Sequence, residues 1–185
     1  MSSKFQVKWG ILATGGIAET FARDLWPNPE TRGVRDIEHS VVAAASSSSA
    51  KRAQDFLKEV RAVEGAKAYG SYKELVQDPN VDIIYVATPH SHHYQNVRLC
   101  LEAGKNVICE KAFTTNARQL GELVKIAKEK NLFLMEAVCT ISNTHAVTEA
   151  NGDHRYGPAT SPSPFTSVTS SPPAKSARST ARKPT

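Results

Sequence analysis

Short apolar runs alternate with amphipathic stretches along most of the chain, and that alternation ends near Val138. Residues 6–13 read as a strand and 17–25 as a helix. A loop holding Pro27, Pro29 and Gly33 leads to a second strand over 40–46 and a helix over 50–59. A short strand at 67–69 precedes a small helix at 72–77. Residues 81–87 (VDIIYVA) form a continuous apolar run, as expected of a strand buried on both faces. A helix over 93–103 stops at Gly104, and a strand at 106–109, a helix at 117–130 and a strand at 133–137 follow. Strands alternating with helices imply a parallel sheet covered on both sides. With right-handed crossovers, the expected fold class is α/β, a doubly wound (Rossmann) parallel sheet.

The pattern divides the chain into a dinucleotide-binding domain over 1–140 and a tail over 141–185. The tail is rich in Ser, Thr and Pro and has only scattered large apolar residues such as Val147, Phe165 and Val168. It is expected to be disordered, because it cannot bury enough surface to offset the entropy of ordering. The apolar fraction of 40% and charged fraction of 22% suit a soluble globular protein. No apolar run approaches the roughly 20 residues that span a bilayer. The opening residues lack the apolar centre of a signal peptide. A cytoplasmic location without a membrane partner is therefore expected. The net charge of +5 invites a nucleic-acid reading, but most of the surplus lies in the tail. There Arg155, Lys175, Arg178, Arg182 and Lys183 face only Glu149 and Asp153, so no nucleic-acid partner is expected. The three cysteines, Cys100, Cys109 and Cys139, are odd in number and widely spaced. They give neither a disulfide framework nor a zinc pattern, and Cys100 and Cys109 read as small buried side chains.

Ligands of a doubly wound sheet bind beyond the carboxyl ends of its strands. The first strand runs into Ala13-Thr14-Gly15-Gly16-Ile17-Ala18. On the pattern G-x-G-x-x-G/A this places Ala13, Gly15 and Ala18 at the fingerprint positions. Gly15 lets the backbone approach a pyrophosphate, whose charge a helix N-terminus favours, and Ala18 permits close helix–strand packing. Ala13 departs from the pattern at a tight turn where glycine is usual. The loop is open to two readings, an ordinary strand-to-helix turn or a pyrophosphate cradle. The apolar strand before it and the amphipathic helix after it favour the cradle. The second strand ends in Ser46-Ser47-Ser48-Ser49, followed by Ala50, Lys51 and Arg52. No acid stands there to hold ribose hydroxyls and repel a 2′-phosphate, while hydroxyls and cations are available to bind one. NADP is therefore favoured over NAD. Alternatively, the serines only cap the helix and both cations are solvated.

The segments WGILATGGIA (9–18), ATPHSHH (87–93), EAGKNVICEKAFTTNA (102–117) and LMEAV (134–138) together resemble the glucose–fructose oxidoreductase/inositol dehydrogenase (Gfo/Idh/MocA) family. Within it, the chain is most similar to the branch of dimeric dihydrodiol dehydrogenases and fungal NADP-dependent D-xylose dehydrogenases. The resemblance implies an NAD(P)-dependent oxidoreductase acting on the CH–OH group of a sugar or diol. It implies cofactor contacts from Ala13, Thr14, Gly15, Gly16, Ile17, Ser46, Ser47, Arg52, Thr88, Pro89, His90, His93, Glu110 and Lys111. The loop over 89–93 would line the nicotinamide side. Glu110-Lys111 matches the family's Glu-Lys-Pro motif, so Lys111 is the candidate catalytic residue, contacting substrate and assisting proton transfer. Ala112 stands where the motif has proline, so the resemblance does not carry over any special peptide geometry after Lys111. His90, His92 and His93 do not by themselves complete a metal site, and no metal is expected.

After Val138 the resemblance stops, at Cys139-Thr140-Ile141. In the family a larger substrate domain follows, bearing a second acid/base residue and often the dimer face. No counterpart is legible here, and the chain reads as truncated or mis-translated. The expectations are therefore an oxidoreductase represented by its cofactor half or, alternatively, a catalytically silent nucleotide-binding remnant or interaction module.

Overall fold

In the computed structural model, the residues described are 4–26 and 33–138. The tail expected to be disordered and Cys139 lie outside them, as does most of the proline-bearing loop. Among the described residues six parallel strands lie in the order β3-β2-β1-β4-β5-β6. They are β1 (Phe5–Leu12), β2 (Ile37–Ala45), β3 (Lys67–Tyr69), β4 (Ile83–Val86), β5 (Asn106–Glu110) and β6 (Leu134–Ala137). The helices are α1 (Gly16–Asp24), α2 (Ala50–Glu59), α3 (Tyr72–Gln77), α4 (His93–Glu102) and α5 (Ala117–Glu129). This is the doubly wound fold expected of the sequence. Strand order reverses between β1 and β4, and the crevice beyond their carboxyl ends is the topological switch point.

Alternation along the central strands sends neighbouring side chains into two separate cores. Tyr85 and Ala87 pack with Trp9, Ile11, Ala18, Ala22, Phe56 and Leu57 on one face. Ile84 and Val86 pack with Leu75, Val97, Leu101, Leu123 and Ala127 on the other. That double coverage is why 81–87 reads as unbroken apolar sequence. The buried residues of α4, namely His93, Asn96, Val97, Cys100 and Leu101, follow the helical repeat. Cys100 and Cys109 are fully buried, as expected, and burial pushes both thiols well above their ordinary range.

Local sequence explains where the helices start. Ser49, Ser71 and Asn116 cap α2, α3 and α5, their side-chain oxygens accepting hydrogen bonds from the backbone of Arg52, Lys73 and Gln119. Gly10 marks a close approach: a Cβ there would lie 2.8 Å from Val81 Cγ1.

Candidate functional site

At the carboxyl edge of the sheet the ladder continues past the strands. Ser46 N donates to Tyr69 O, Ala13 N to Ala45 O and Ala87 N to Leu12 O. Val86 pairs with Cys109, and Glu110 with Ala137. The loops therefore lie side by side, with Ser46 after β2, Ala13 after β1, Thr88 after β4 and Lys111 after β5. Three strand spacings separate the first from the last, roughly 14 Å. An elongated ligand laid across the switch point would meet all four.

The β1–α1 turn is shaped for close approach. Ala13 has φ 78, the left-handed conformation that favours glycine at this fingerprint position. Gly15 caps α1 with no side chain to satisfy the first-turn N–H groups. Neither Gly15 nor Gly16 has a positive φ, and a Cβ on either would meet nothing within 4 Å. Among the described residues no close packing calls for glycine at these two positions, whereas an anion drawn onto the backbone would. Gly15, Gly16 and Ile17 are exposed, and Ala13 and Thr14 half-buried. The turn thus leaves the N–H groups and partial positive charge of the α1 N-terminus open to an anion such as a diphosphate.

At the β2–α2 turn, Ser46 is buried and its hydroxyl oxygen accepts from Ser48 N, at 3.3 Å, and lies 3.0 Å from Ser48 Oγ. Ser47 is exposed. Lys51 pairs with Asp55 at 3.2 Å, while Arg52 is exposed and has no carboxylate partner among the described residues. Of the two cations, Arg52 is the uncommitted one.

On the other side of the switch point, Pro89 and His90 are exposed, but Thr88 and His93 turn inward. Thr88 Oγ1 accepts from Asn96 Nδ2 at 3.2 Å. His93 is fully buried, with Nε2 2.7 Å from Thr88 O and Nδ1 2.7 Å from Ala112 O. The side chains of Ser46, Thr88 and His93 are thus occupied within the protein. What these residues can offer a ligand at the surface is chiefly backbone.

The Lys111 turn is tied on several sides. Tyr85 OH donates to Glu110 Oε1 at 2.5 Å, and Lys111 N donates to Glu110 Oε2 at 3.2 Å. Tyr85 is stacked on Phe21 of α1, ring centroids 3.7 Å apart. Burial, followed by the Glu110 carboxylate, pushes the Tyr85 phenol well above its ordinary range, so it stays a donor. The peptide bond between Lys111 and Ala112 is cis. Phe113 N donates to Glu136 Oε1 at 2.9 Å. The Lys111 side chain is exposed, and its Nζ meets no partner among the described residues. Sequence reasoning singled out Glu110 and Lys111 but missed Tyr85, Asn96 and Glu136. An acid at the end of an otherwise apolar strand was the available signal for Glu136.

Residues 7–138 match the model of an oxidoreductase family with an NAD-binding Rossmann fold. The chain is 65% identical over 136 residues to a D-xylose 1-dehydrogenase (NADP(+)) of Hypocrea jecorina, which covers 74% of this chain and 35% of that protein. It is 42% identical over 132 residues to the trans-1,2-dihydrobenzene-1,2-diol dehydrogenase of Mus musculus, covering 71% of this chain and 37% of the relative. Among solved structures it resembles an NAD-binding oxidoreductase from Klebsiella pneumoniae, with a TM-score of 0.65 and 26% identity over 72% of this chain and 34% of the other. It also resembles KijD10, a 3-ketoreductase from Actinomadura kijaniata in complex with NADP, with a TM-score of 0.61 and 28% identity over 71% of this chain and 38% of the other. This chain thus spans little more than a third of the length of these relatives.

Proposed function

The chain belongs to the oxidoreductase family with an NAD-binding Rossmann fold, and from that membership we propose that it is the NADP-binding half of a dehydrogenase that oxidises a CH–OH group of a sugar or diol. The observation that carries the reading is the pair Gly15 and Gly16, open to solvent at the switch point, with no described atom within 4 Å of where a Cβ would stand. Similarity to an NADP-dependent D-xylose dehydrogenase and to dihydrodiol dehydrogenases supports the substrate class.

In this reading the backbone from Ala13 to Ile17 holds the diphosphate, and Ser47 and Arg52 hold the ribose 2′-phosphate. Pro89, His90 and Glu110 border the nicotinamide end. The bound nicotinamide supplies the hydride acceptor. Lys111 Nζ, which meets no partner among the described residues, would bind the substrate hydroxyl and take its proton as hydride leaves the carbon. Small-molecule recognition beyond Lys111 belongs to whatever completes the pocket. The division into a cofactor domain over 1–140 and a tail over 141–185 is part of the same proposal.

Titration of the purified 185-residue chain with NADPH, followed by nicotinamide fluorescence, tests the binding half. Saturation is expected, and a folded chain that does not bind refutes the reading. NADPH formation with D-xylose tests the turnover half. Lys111→Met separates binding from chemistry. It is expected to lower any turnover by about 100-fold or more, as for loss of a proton-transfer group, with a much smaller change in NADPH affinity.

A further inference from the structure

We propose that Glu136 is a positioning residue for Lys111, acting through the backbone of the turn; the inference rests on the role given to Lys111 above. Successive backbone groups of that turn are each held by a different side chain. Lys111 N donates to Glu110 Oε2, Ala112 O lies 2.7 Å from His93 Nδ1, and Phe113 N donates to Glu136 Oε1 at 2.9 Å. The holders come from β5, α4 and β6, so three different elements grip the turn.

Glu136 is the member whose contact burial does not force. It is exposed on the edge strand β6, where water could solvate its carboxylate and where glutamate has no particular preference for strand. It nevertheless accepts from the N–H of Phe113, whose ring is anchored in the core. A carboxylate on a backbone N–H is among the stronger hydrogen bonds available. Lys111 Nζ has no partner among the described residues, so the side chain's own contacts do not fix where the amine goes. The turn fixes its point of departure, and displacements of about 1 Å at a reacting group are enough to matter. β6 is four strands from β2, so Glu136 has no route to the phosphate end of the site except through the fold. Its loss is expected to disturb Lys111 and spare cofactor affinity.

The test compares the full chain with Glu136→Gln, which keeps an acceptor oxygen, and Glu136→Leu, which has none. Hydrogen exchange of the Phe113 amide reads the hydrogen bond, with β4 amides as the control for folding. Acylation of Lys111 by acetic anhydride, with and without saturating NADPH, reads the position of the amine. In Glu136→Leu, Phe113 exchange is expected to rise about tenfold or more, with the NADPH-dependent change in Lys111 acylation lost. NADPH affinity should stay within about twofold, as for separated sites. Glu136→Gln should retain the wild-type behaviour in each readout. A wild-type Lys111 whose acylation ignores bound NADPH overturns the role given to Lys111 itself. A wild-type response that survives in Glu136→Leu, or a Phe113 amide that still exchanges at the wild-type rate, overturns the positioning role alone.

Discussion

Ala13 and Gly15 stand two residues apart in one turn and answer to opposite demands. Ala13 has the left-handed φ of 78, which costs an L-residue roughly 1–2 kcal/mol. Ala13→Gly relieves that cost but loosens the unfolded chain by roughly 0.4–1 kcal/mol, so a net gain of about 0.5–1 kcal/mol is expected in urea unfolding. Gly15 has φ −85 and open space where a Cβ would go. Gly15→Ala should therefore leave stability within about 0.5 kcal/mol, as for surface changes generally. It should still weaken NADPH binding by about tenfold or more, because the methyl group stands where the diphosphate must approach. A destabilised Gly15→Ala, or one that binds normally, would show that the glycine serves the fold and not a ligand. The turn at Ala13 was legible from the spacing of the fingerprint, although its residue type departs from the glycine usual there. The inward turn of Ser46, Thr88 and His93 was not. The partner of His93 Nδ1 is a carbonyl 19 residues away, and only the assembled sheet brings it near.

The α2 N-terminus shows how far an element can be read alone. Its start at Ala50 is fixed by Ser49, which accepts from Arg52 N at 3.2 Å, and the helix ends at Glu59 as its pattern predicts. The same turn leaves Arg52 exposed and Lys51 paired with Asp55. Arg52→Ala is accordingly expected to lower NADPH affinity by about tenfold or more, since a charge-assisted contact to phosphate is worth about 1.5–3 kcal/mol. NADH affinity should hardly change, and comparing the two titrations checks the assignment. An equal loss for both cofactors would place Arg52 elsewhere in the site. Strand limits were less legible than helix limits. β2 begins at Ile37, ahead of the expected residue 40, because its pairing with β1 extends out to Phe5 and Ile37 through the polar Glu38 and His39. β4 is conversely confined to Ile83–Val86, although Val81 and Ala87 are also buried. Ladder partners set where a strand ends, and a single chain segment does not display its partners.

At the scale of the whole described fold, one charge cluster away from the candidate site couples stability to pH. Asp78, just after α3, has a side chain only 1% exposed and is surrounded by donors. Tyr69 OH donates to it at 2.9 Å, Asn80 N donates at 2.9 Å, and Lys67 Nζ lies 3.7 Å away. Lys105, just before β5, donates to the Asp78 and Val81 carbonyls, so the cluster joins β3, α3 and the entries to β4 and β5. Burial by itself raises the Asp78 carboxyl. The Asn80 and Tyr69 hydrogen bonds, with Lys67 and Lys105 nearby, outweigh burial and hold it below its ordinary value. Burial first, then the hydrogen bond to Asp78, pushes the Tyr69 phenol up to about 12. The two shifts act at opposite ends of the pH scale. With its folded value depressed, Asp78 contributes stability above its unfolded value, and that contribution is lost as pH falls through the folded one. With its folded value raised, Tyr69 contributes stability in full below its ordinary value of 10.0, and that contribution is lost as pH rises towards about 12. Urea midpoints measured from acid to alkaline pH should therefore form a plateau with a falling limb at each end. Asp78→Asn should flatten the acid limb, and Tyr69→Phe the alkaline one. Neither group lies among the loops that line the switch point between β1 and β4, so NADPH affinity on the plateau should be the same in both variants as in the wild type. An acid limb unchanged in Asp78→Asn would mean that other carboxylates govern acid unfolding and that the cluster joining β3 to β5 contributes little to holding the sheet together.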